Sequence, residues 1–399
     1  MIKMITAGII AEYNPFHSGH MFHINKTKEQ ADAAICVMSG AFTQRGAPGI
    51  IDKWARAKSA VLCGANLVLE LPYPFSAAPA EIFAFGGVSL LERLGCVDFL
   101  SFGSESGKIE DLKKAAKLLE NNEGEIWKHI REDAGDGKSF AAAVAERAGE
   151  YAELLKSPNN LLAIKYLNAL SRLESGIKPI TIKREGDYNG TEIEGKFVSA
   201  AAIRKAVSEE NLSAVKKYMP QKAYDVFEKE YNDGNIYKIE KLDTFFTAIL
   251  RLGDDSFKNC AYISEGLENR FVTAAKKYCT VDDILKYVKT KRYTYTRLSR
   301  AVLSILLKTD KETVAEHSAK GAAYAKVLAA DKIGLELLKK IKKNFPVISC
   351  GADYEKAGDY AKRQFELEMK AQDIASLCCE NIRKRICARD MLEKPYILN

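Results

Sequence analysis

Short β-rich runs alternate with helical patterns through the first half of the chain, and this alternation restricts the fold more than any other feature. Met4–Ala11, Ala33–Met38, Leu67–Leu71, Val97–Phe102 and Pro179–Lys183 read as strands. Between them, His20–Gln30, Asp52–Leu62, Ala80–Leu94 and Asp111–Leu119 carry amphipathic helical spacing. Apolar strands separated by helices predict a parallel sheet covered on both faces, an α/β domain. Residues 111–178 look helical with no convincing strand, which predicts a helical insertion or elaborated crossover before the last strand.

Beyond about residue 206 the strand signals fade. Leu212–Tyr218, Thr244–Leu252, Arg297–Leu307, Lys332–Ile341 and Tyr360–Cys379 have helical spacing, and Ile348–Cys350 is the one further strand candidate. The pattern predicts two parts: an α/β domain over 1–205 and a mostly helical one over 206–399. With 399 residues, 47% apolar and 28% charged, there is material for full-sized cores, which excludes a disordered chain. Glu12, Asn66, Glu70 and Pro72 break the longest apolar stretches well short of the roughly 18 residues of a membrane span. No signal-peptide pattern follows Lys3. Nine cysteines, irregularly spaced and without CxxC, predict mostly buried, reduced thiols in a cytoplasmic protein, with Cys378 and Cys379 on a helix surface.

The net charge of +7 is unevenly distributed: residues 1–200 carry −2 and residues 201–399 carry +9. A polyanion is therefore better held by the second half.

The segment Gly8-Ile-Ile-Ala-Glu-Tyr-Asn-Pro-Phe-His-Ser-Gly-His20 carries the chemistry. A buried strand ends at Ala11, a turn follows, and a helix opens near Gly19. Free N–H groups and the dipole at a helix N-terminus favour phosphate, and Gly19 admits a ligand close to the backbone. His17 and His20 would face the phosphates and donate to oxygens of a pentacovalent phosphorus. Three metal-ligating histidines (His17, His20, His23) are the alternative, weakened because His17 precedes the helix and no carboxylate or thiolate cluster is near. His23 reads as a packed or supporting residue. In Val198-Ser-Ala-Ala-Ala-Ile-Arg204, Ser199 would cap a helix and point at the β- and γ-phosphates, with Arg204 one turn on. A plain cap is the alternative for Ser199.

HxGH at the first β–α turn, together with the Ser199–Arg204 segment, resembles the nucleotidylyltransferase superfamily. The blocks Ala11–His20, Val37–Gly40, Gln44–Gly46, Asp52–Lys58, Phe102–Gly107, Pro158–Asn160 and Lys291–Leu298 resemble more narrowly the tRNA(Met) cytidine acetate ligase family. The resemblance implies a HUP, Rossmann-like fold for the first domain. It implies an enzyme that activates acetate with ATP, Mg²⁺ escorting the triphosphate, and passes the acetyl group from acetyl-adenylate to N4 of the wobble cytidine of elongator tRNA(Met). Its ATP site, carried over, comprises Ile10-Ala11-Glu12-Tyr13-Asn14-Pro15-Phe16-His17-Ser18-Gly19-His20-Met21-Phe22-His23, then Gly103, Asn160 and Arg184. Ala201 departs from the family's usual Thr, removing one hydroxyl. Lys53 and Arg56 are candidates for steadying pyrophosphate, or members of a solvated helix face.

Lys286–Arg300 interleaves basic residues with tyrosines, which suits RNA phosphates and unpaired bases. Lys289, Lys291, Arg292, Tyr293, Arg297 and Arg300 are the expected tRNA contacts; a solvated helix end is the alternative. No protein partner is implied. Two rival functions remain at this level. A small-metabolite adenylyltransferase has no use for a basic second half, and an RNA-binding ATP sensor has no use for transition-state donors.

Overall fold

In the computed structural model, residues 4–121, 151–184, 198–253, 255–264, 266–290 and 293–399 are described. The five expected strands form at Thr6–Ala11 (β1), Ala33–Ser39 (β2), Leu67–Leu71 (β3), Phe99–Ser104 (β4) and Lys178–Lys183 (β5). They lie side by side in the order β5-β4-β1-β2-β3, each neighbour parallel. Alternation along β2 explains the layering. Ile35 and Val37 join the core beneath the helices Ala80–Arg93, Pro158–Arg172 and Lys332–Ile341, whereas Ala34, Cys36 and Met38 face Lys53–Leu62 and Ala200–Ser208. All residues of β2 and β3 are buried, which is why these strands are almost wholly apolar, with Glu70 the one charge between them.

The second half is not devoid of strands. Ala325–Ala330 (β6) pairs antiparallel with β3, and Val347–Ile348 (β7) and Tyr396–Ile397 (β8) pair parallel with β6. The six residues of β6, AKVLAA, are alanine-rich and contain a lysine, so their intrinsic preference is helical. Pairing and burial override that preference. The chain after residue 206 is otherwise mostly helical, and a second apolar core runs from Leu242 and Phe246 to Leu303 and Leu306, taking in Ala41, Phe42, Tyr73 and Ala77 of the first half. Of the 111–178 segment, Ile109–Asn121, Ala152–Lys156 and Pro158–Arg172 are helical, while 122–150 lie outside the described residues. Cys378 and Cys379 are fully buried rather than on a helix surface, because the end of Asp359–Ser376 packs into the second core. All nine cysteines are free, and Cys279, Cys350 and Cys387 are exposed.

β1 lies between β2 and β4, so the chain leaves it toward one side and returns on the other. Open α/β sheets bind ligands in the crevice at the carboxyl ends of such strands. Here that crevice holds the HxGH turn.

Candidate active site

β1 gives way to a turn that is fixed from inside. Tyr13, at φ +47°, donates its hydroxyl to Cys36 Sγ (3.2 Å), and Asn14 Oδ1 accepts from the Ile50 N–H (2.7 Å). Pro15 and Phe16 are buried, and the Ser18 N–H donates to the Tyr218 carbonyl (2.8 Å). The helix Ser18–Lys28 then opens with His17 as its N-cap.

The two motif histidines cap this helix reciprocally. His17 Nδ1 accepts from the Gly19 N–H (3.1 Å), and His20 Nδ1 accepts from the His17 N–H (3.2 Å). Their rings stack with centroids 3.7 Å apart. A nitrogen that accepts from a backbone N–H carries no proton, so in each neutral ring the proton sits on Nε2. Burial, then the charges of Arg184 and Arg204, push the His17 pKa down to about 3. Burial, then the neighbouring His17, Arg184 and His23, hold His20 well below the ordinary histidine value. Both rings are therefore neutral Nε2–H donors at physiological pH.

His23 supports this pair. Its Nε2 lies 3.0 Å from Ser101 Oγ, which is also 2.7 Å from Thr27 Oγ1, and burial lowers its pKa to about 4. Ser101 and Thr27 were invisible as site residues in the sequence, since a serine in a strand and a threonine in a helix carry no spacing signal.

His17, Gly19, His20, Phe22 and His23 line a narrow cleft of about 40 Å³ with Gly103, Ile182, Lys183 and Arg184. Gly103 is the penultimate residue of β4, and a Cβ there would stand 3.2 Å from Arg184 Cγ. The Arg184 N–H donates to the Ser104 carbonyl (2.9 Å), placing its side chain across the carboxyl ends of β4 and β5. Asn160 is buried beside this cleft rather than lining it. Its Oδ1 accepts from the Ser106 N–H (3.1 Å), and Glu105 accepts from the N–H groups of Asn159 and Asn160. Glu105 is a residue that sequence reasoning passed over inside the Phe102–Gly107 block.

Ser199 caps Ala200–Ser208 by accepting from the Ala202 N–H (3.0 Å). Arg204 donates through Nη1 to the Asn14 carbonyl (2.7 Å), tying this helix to the HxGH turn. Ile10, Ala11 and Glu12 end or follow β1, and Met21 packs on the adjoining core. Among the described residues, no group of three His, Cys, Asp or Glu side chains is disposed to hold a metal.

Two groups of expected contacts need correcting. Lys53 is fully buried, 2.6 Å from Glu70, 2.7 Å from Asp390 and 3.1 Å from Glu368, so it faces carboxylates and not phosphate. Arg56, equally buried, donates to the carbonyls of Glu12, Ser39, Gly40 and Ile51, and burial lowers its pKa to about 10. In the basic stretch, Tyr293 is buried against the second core and offers no stacking face. Arg297 donates to Ser264 Oγ (2.8 Å) and lies over the Tyr293 ring, and Arg300 donates to the Gln44 carbonyl (3.3 Å). Lys289 is exposed; Lys291 and Arg292 lie outside the described residues.

The arrangement can hold a phosphate against a helix N-terminus, two neutral imidazole donors and two guanidinium groups. Comparison with known proteins agrees. A family model described as HIGH Nucleotidyl Transferase matches residues 4–390. The chain is 36% identical to the tRNA(Met) cytidine acetate ligase of Acetivibrio thermocellus, over 99% of this chain and 100% of that one. It is 37% identical to the protein of the same name from Caldanaerobacter subterraneus subsp. tengcongensis, over 95% and 96%. The crystal structure of Thermotoga maritima TmcAL bound with alpha-thio ATP superposes with a TM-score of 0.91 at 32% identity, covering 99% and 100%. With a family match over nearly its whole length and relatives alike from end to end, this chain belongs to the tRNA(Met) cytidine acetate ligase family of HIGH nucleotidyl transferases.

Proposed function

We propose that this protein activates acetate with ATP and transfers the acetyl group to N4 of the wobble cytidine of elongator tRNA(Met). One observation carries the reading: the Nδ1 atoms of His17 and His20 are both occupied by backbone N–H groups, leaving two neutral Nε2–H donors in one electropositive cleft. An acetate oxygen attacks the α-phosphorus, the bond to pyrophosphate breaks, and the two imidazoles stabilise charge on the equatorial oxygens. Neutral rings suit this task because they donate without taking up a proton. Ser199 and Arg204 meet the outer phosphates, Arg184 and Gly103 frame the nucleoside side, and Asn160 acts behind them by holding the Ser106 backbone. Mg²⁺ fits as an ion carried on the triphosphate oxygens, since the described residues supply no ligand cluster for it.

The relatives' names and the ATP analogue in the Thermotoga maritima structure support ATP and tRNA as substrates. Exposed cations of the second half, Lys289 among them, serve RNA phosphates in this scheme, while Arg297 and Arg300 shape the surface that presents them. Acetate-dependent exchange between ATP and pyrophosphate, followed by nucleoside analysis of tRNA incubated with labelled acetate, tests the reading. Exchange without acetate dependence, or label absent from N4-acetylcytidine, would overturn it.

A further inference from the structure

A second cavity, of about 480 Å³, shares no lining residue with the histidine cleft and has Asn14 and Arg204 in its wall. Its size falls within the roughly 300–1,000 Å³ of small-molecule sites, far more than acetate needs. Glu12 and Asn14 reach it from the turn after β1, Arg204 and Ser208 from the helix Ala200–Ser208, and Tyr231 and Lys238 from the far wall. Arg204 is also close enough to His17 to depress that histidine's pKa, so this cavity adjoins the place where the acyl phosphate forms.

Its lining is rich in carboxylates, Glu12, Glu210, Glu240 and Glu380, and Glu12 among them is placed to recognise a ligand. Glu12 Oε1 accepts from the Gln44 N–H (2.9 Å), which fixes the carboxylate, and Oε2 has no hydrogen-bond partner among the described residues. A carboxylate that only accepts is complementary to an exocyclic amine. Of the pyrimidines, cytosine presents the N4 donor, whereas uracil presents an O4 acceptor there. Tyr231 is half-buried and offers a ring face, as sites for unstacked RNA bases do. At the rim, Arg45 is exposed and suited to a flanking phosphate.

We propose that this cavity receives the acceptor nucleoside, a cytosine turned out of its RNA loop, and that Glu12 accepts a hydrogen bond from its N4 amine. The inference rests on the acetate ligase reading above. In the transfer, the N4 lone pair bonds to the acetyl carbon, the carbon–oxygen bond to AMP breaks with its electron pair, and the N4 proton passes to Glu12.

Ser208 is exposed at the mouth of the cavity, so Ser208→Trp obstructs it without touching the histidine cleft. Acetate-dependent ATP–pyrophosphate exchange should stay near the wild-type rate while acetyl transfer to tRNA falls about tenfold or more. Tyr231→Ala should repeat that split. Wild-type protein should bind an anticodon stem-loop carrying cytidine about tenfold more tightly than one carrying uridine, and Glu12→Gln, whose amide both donates and accepts, should narrow that ratio. Normal transfer by folded Ser208→Trp, a loss of exchange together with transfer, or an unchanged cytidine preference in Glu12→Gln would each overturn the assignment. Wild-type protein lacking acetate-dependent exchange would overturn the ligase reading and this inference with it; wild-type exchange with the other failures overturns this inference alone.

Discussion

Lys53 Nζ lies 3.1 Å from Glu368 Oε1, across 315 positions of the chain, and neither side chain reaches solvent. Glu70 of β3 and Asp390 complete the shell, and Lys326 adds a second cation on Asp390. Burial opposes the charge on Lys53, but Asp390, Glu70 and Glu368 together outweigh it and raise its pKa. Three carboxylates face two ammonium groups. Burial and the nearby Glu368 push Glu70 well above the usual carboxylate range, so the Glu70–Glu368 pair holds the balancing proton. Gly40 leaves room for the cluster, since a Cβ there would stand 2.7 Å from Glu368 Oε1.

Lys53→Met should therefore cost about 3–5 kcal/mol, because it leaves buried carboxylates uncompensated. Urea denaturation should show a lower midpoint at unchanged slope. A loss no larger than that of an ordinary surface substitution would contradict this account.

The cap and the catalytic donor can be separated at His17. His17→Asp keeps a side-chain acceptor for the Gly19 N–H, and aspartate is among the best N-caps, so thermal stability should hold. It places an anion where phosphate must sit, and ATP–pyrophosphate exchange should fall by ~10²–10³ or more. His17→Ala should lose both the activity and about 1 kcal/mol of stability.

Depressed histidine pKa values have a consequence for pH. In the unfolded chain these rings take up protons near the ordinary value of about 6.5, whereas folded His17 does so only near 3 and His23 near 4. The unfolded state thus binds more protons below about pH 6.5, and stability should decline as pH falls toward 4. By NMR, the ring resonances of His17 and His20 should not titrate between about pH 5 and 8. A midpoint near 6.5 for either would contradict the buried, neutral assignment.

Gly46, at φ +78°, lets the 40–51 loop lie on the start of Tyr295–Leu306; a Cβ would stand 2.8 Å from the Ser299 carbonyl carbon. Gly46→Ala should destabilise by about 1–3 kcal/mol or more, through backbone strain together with that clash. Hydrogen exchange should locate the loosening in this loop and in the helix it touches.

How far the sequence carried the reading varies with the physics involved. β1 to β4 were legible because each is a short, largely apolar run bounded by turns, and β5, KPITIK, because isoleucines alternate with polar residues along it. HxGH was legible because the motif stands at a strand–helix junction. β6 was not, since its alanines and Lys326 point to a helix until β3 and Asp390 are known to face them. Lys53 and Arg56 followed the same rule in reverse. A charged pair opening a helix looks solvated or ligand-facing until the carboxylates of Glu70, Glu368 and Asp390 around Lys53, and the backbone carbonyls around Arg56, are known to face it. Tyr293 and Arg297 looked like an RNA surface because a sequence cannot show which side of a basic helix start is packed.

The same long-range ties bear on cutting the chain near residue 205, where the sequence pattern changes. A fragment of residues 1–205 would keep β1 to β5 and the histidine cap. It would lose β6, exposing the edge of β3, whose Leu67, Val68 and Leu69 are fully buried in the whole protein. It would also lose Glu368, Asp390 and Lys326, leaving Lys53 and Glu70 at that edge with most of their partners gone. An open apolar edge strand is a template for pairing with other chains. The fragment should therefore aggregate or stay unfolded, and it should show no cooperative thermal transition. Adding residues 206–399 as a separate chain should restore solubility, because β6 supplies the missing pairing and its following segments supply the charges. A soluble, cooperatively folding 1–205 fragment would mean that the sheet is complete without β6, and that the Lys53 cluster contributes little to holding the two ends of the chain together.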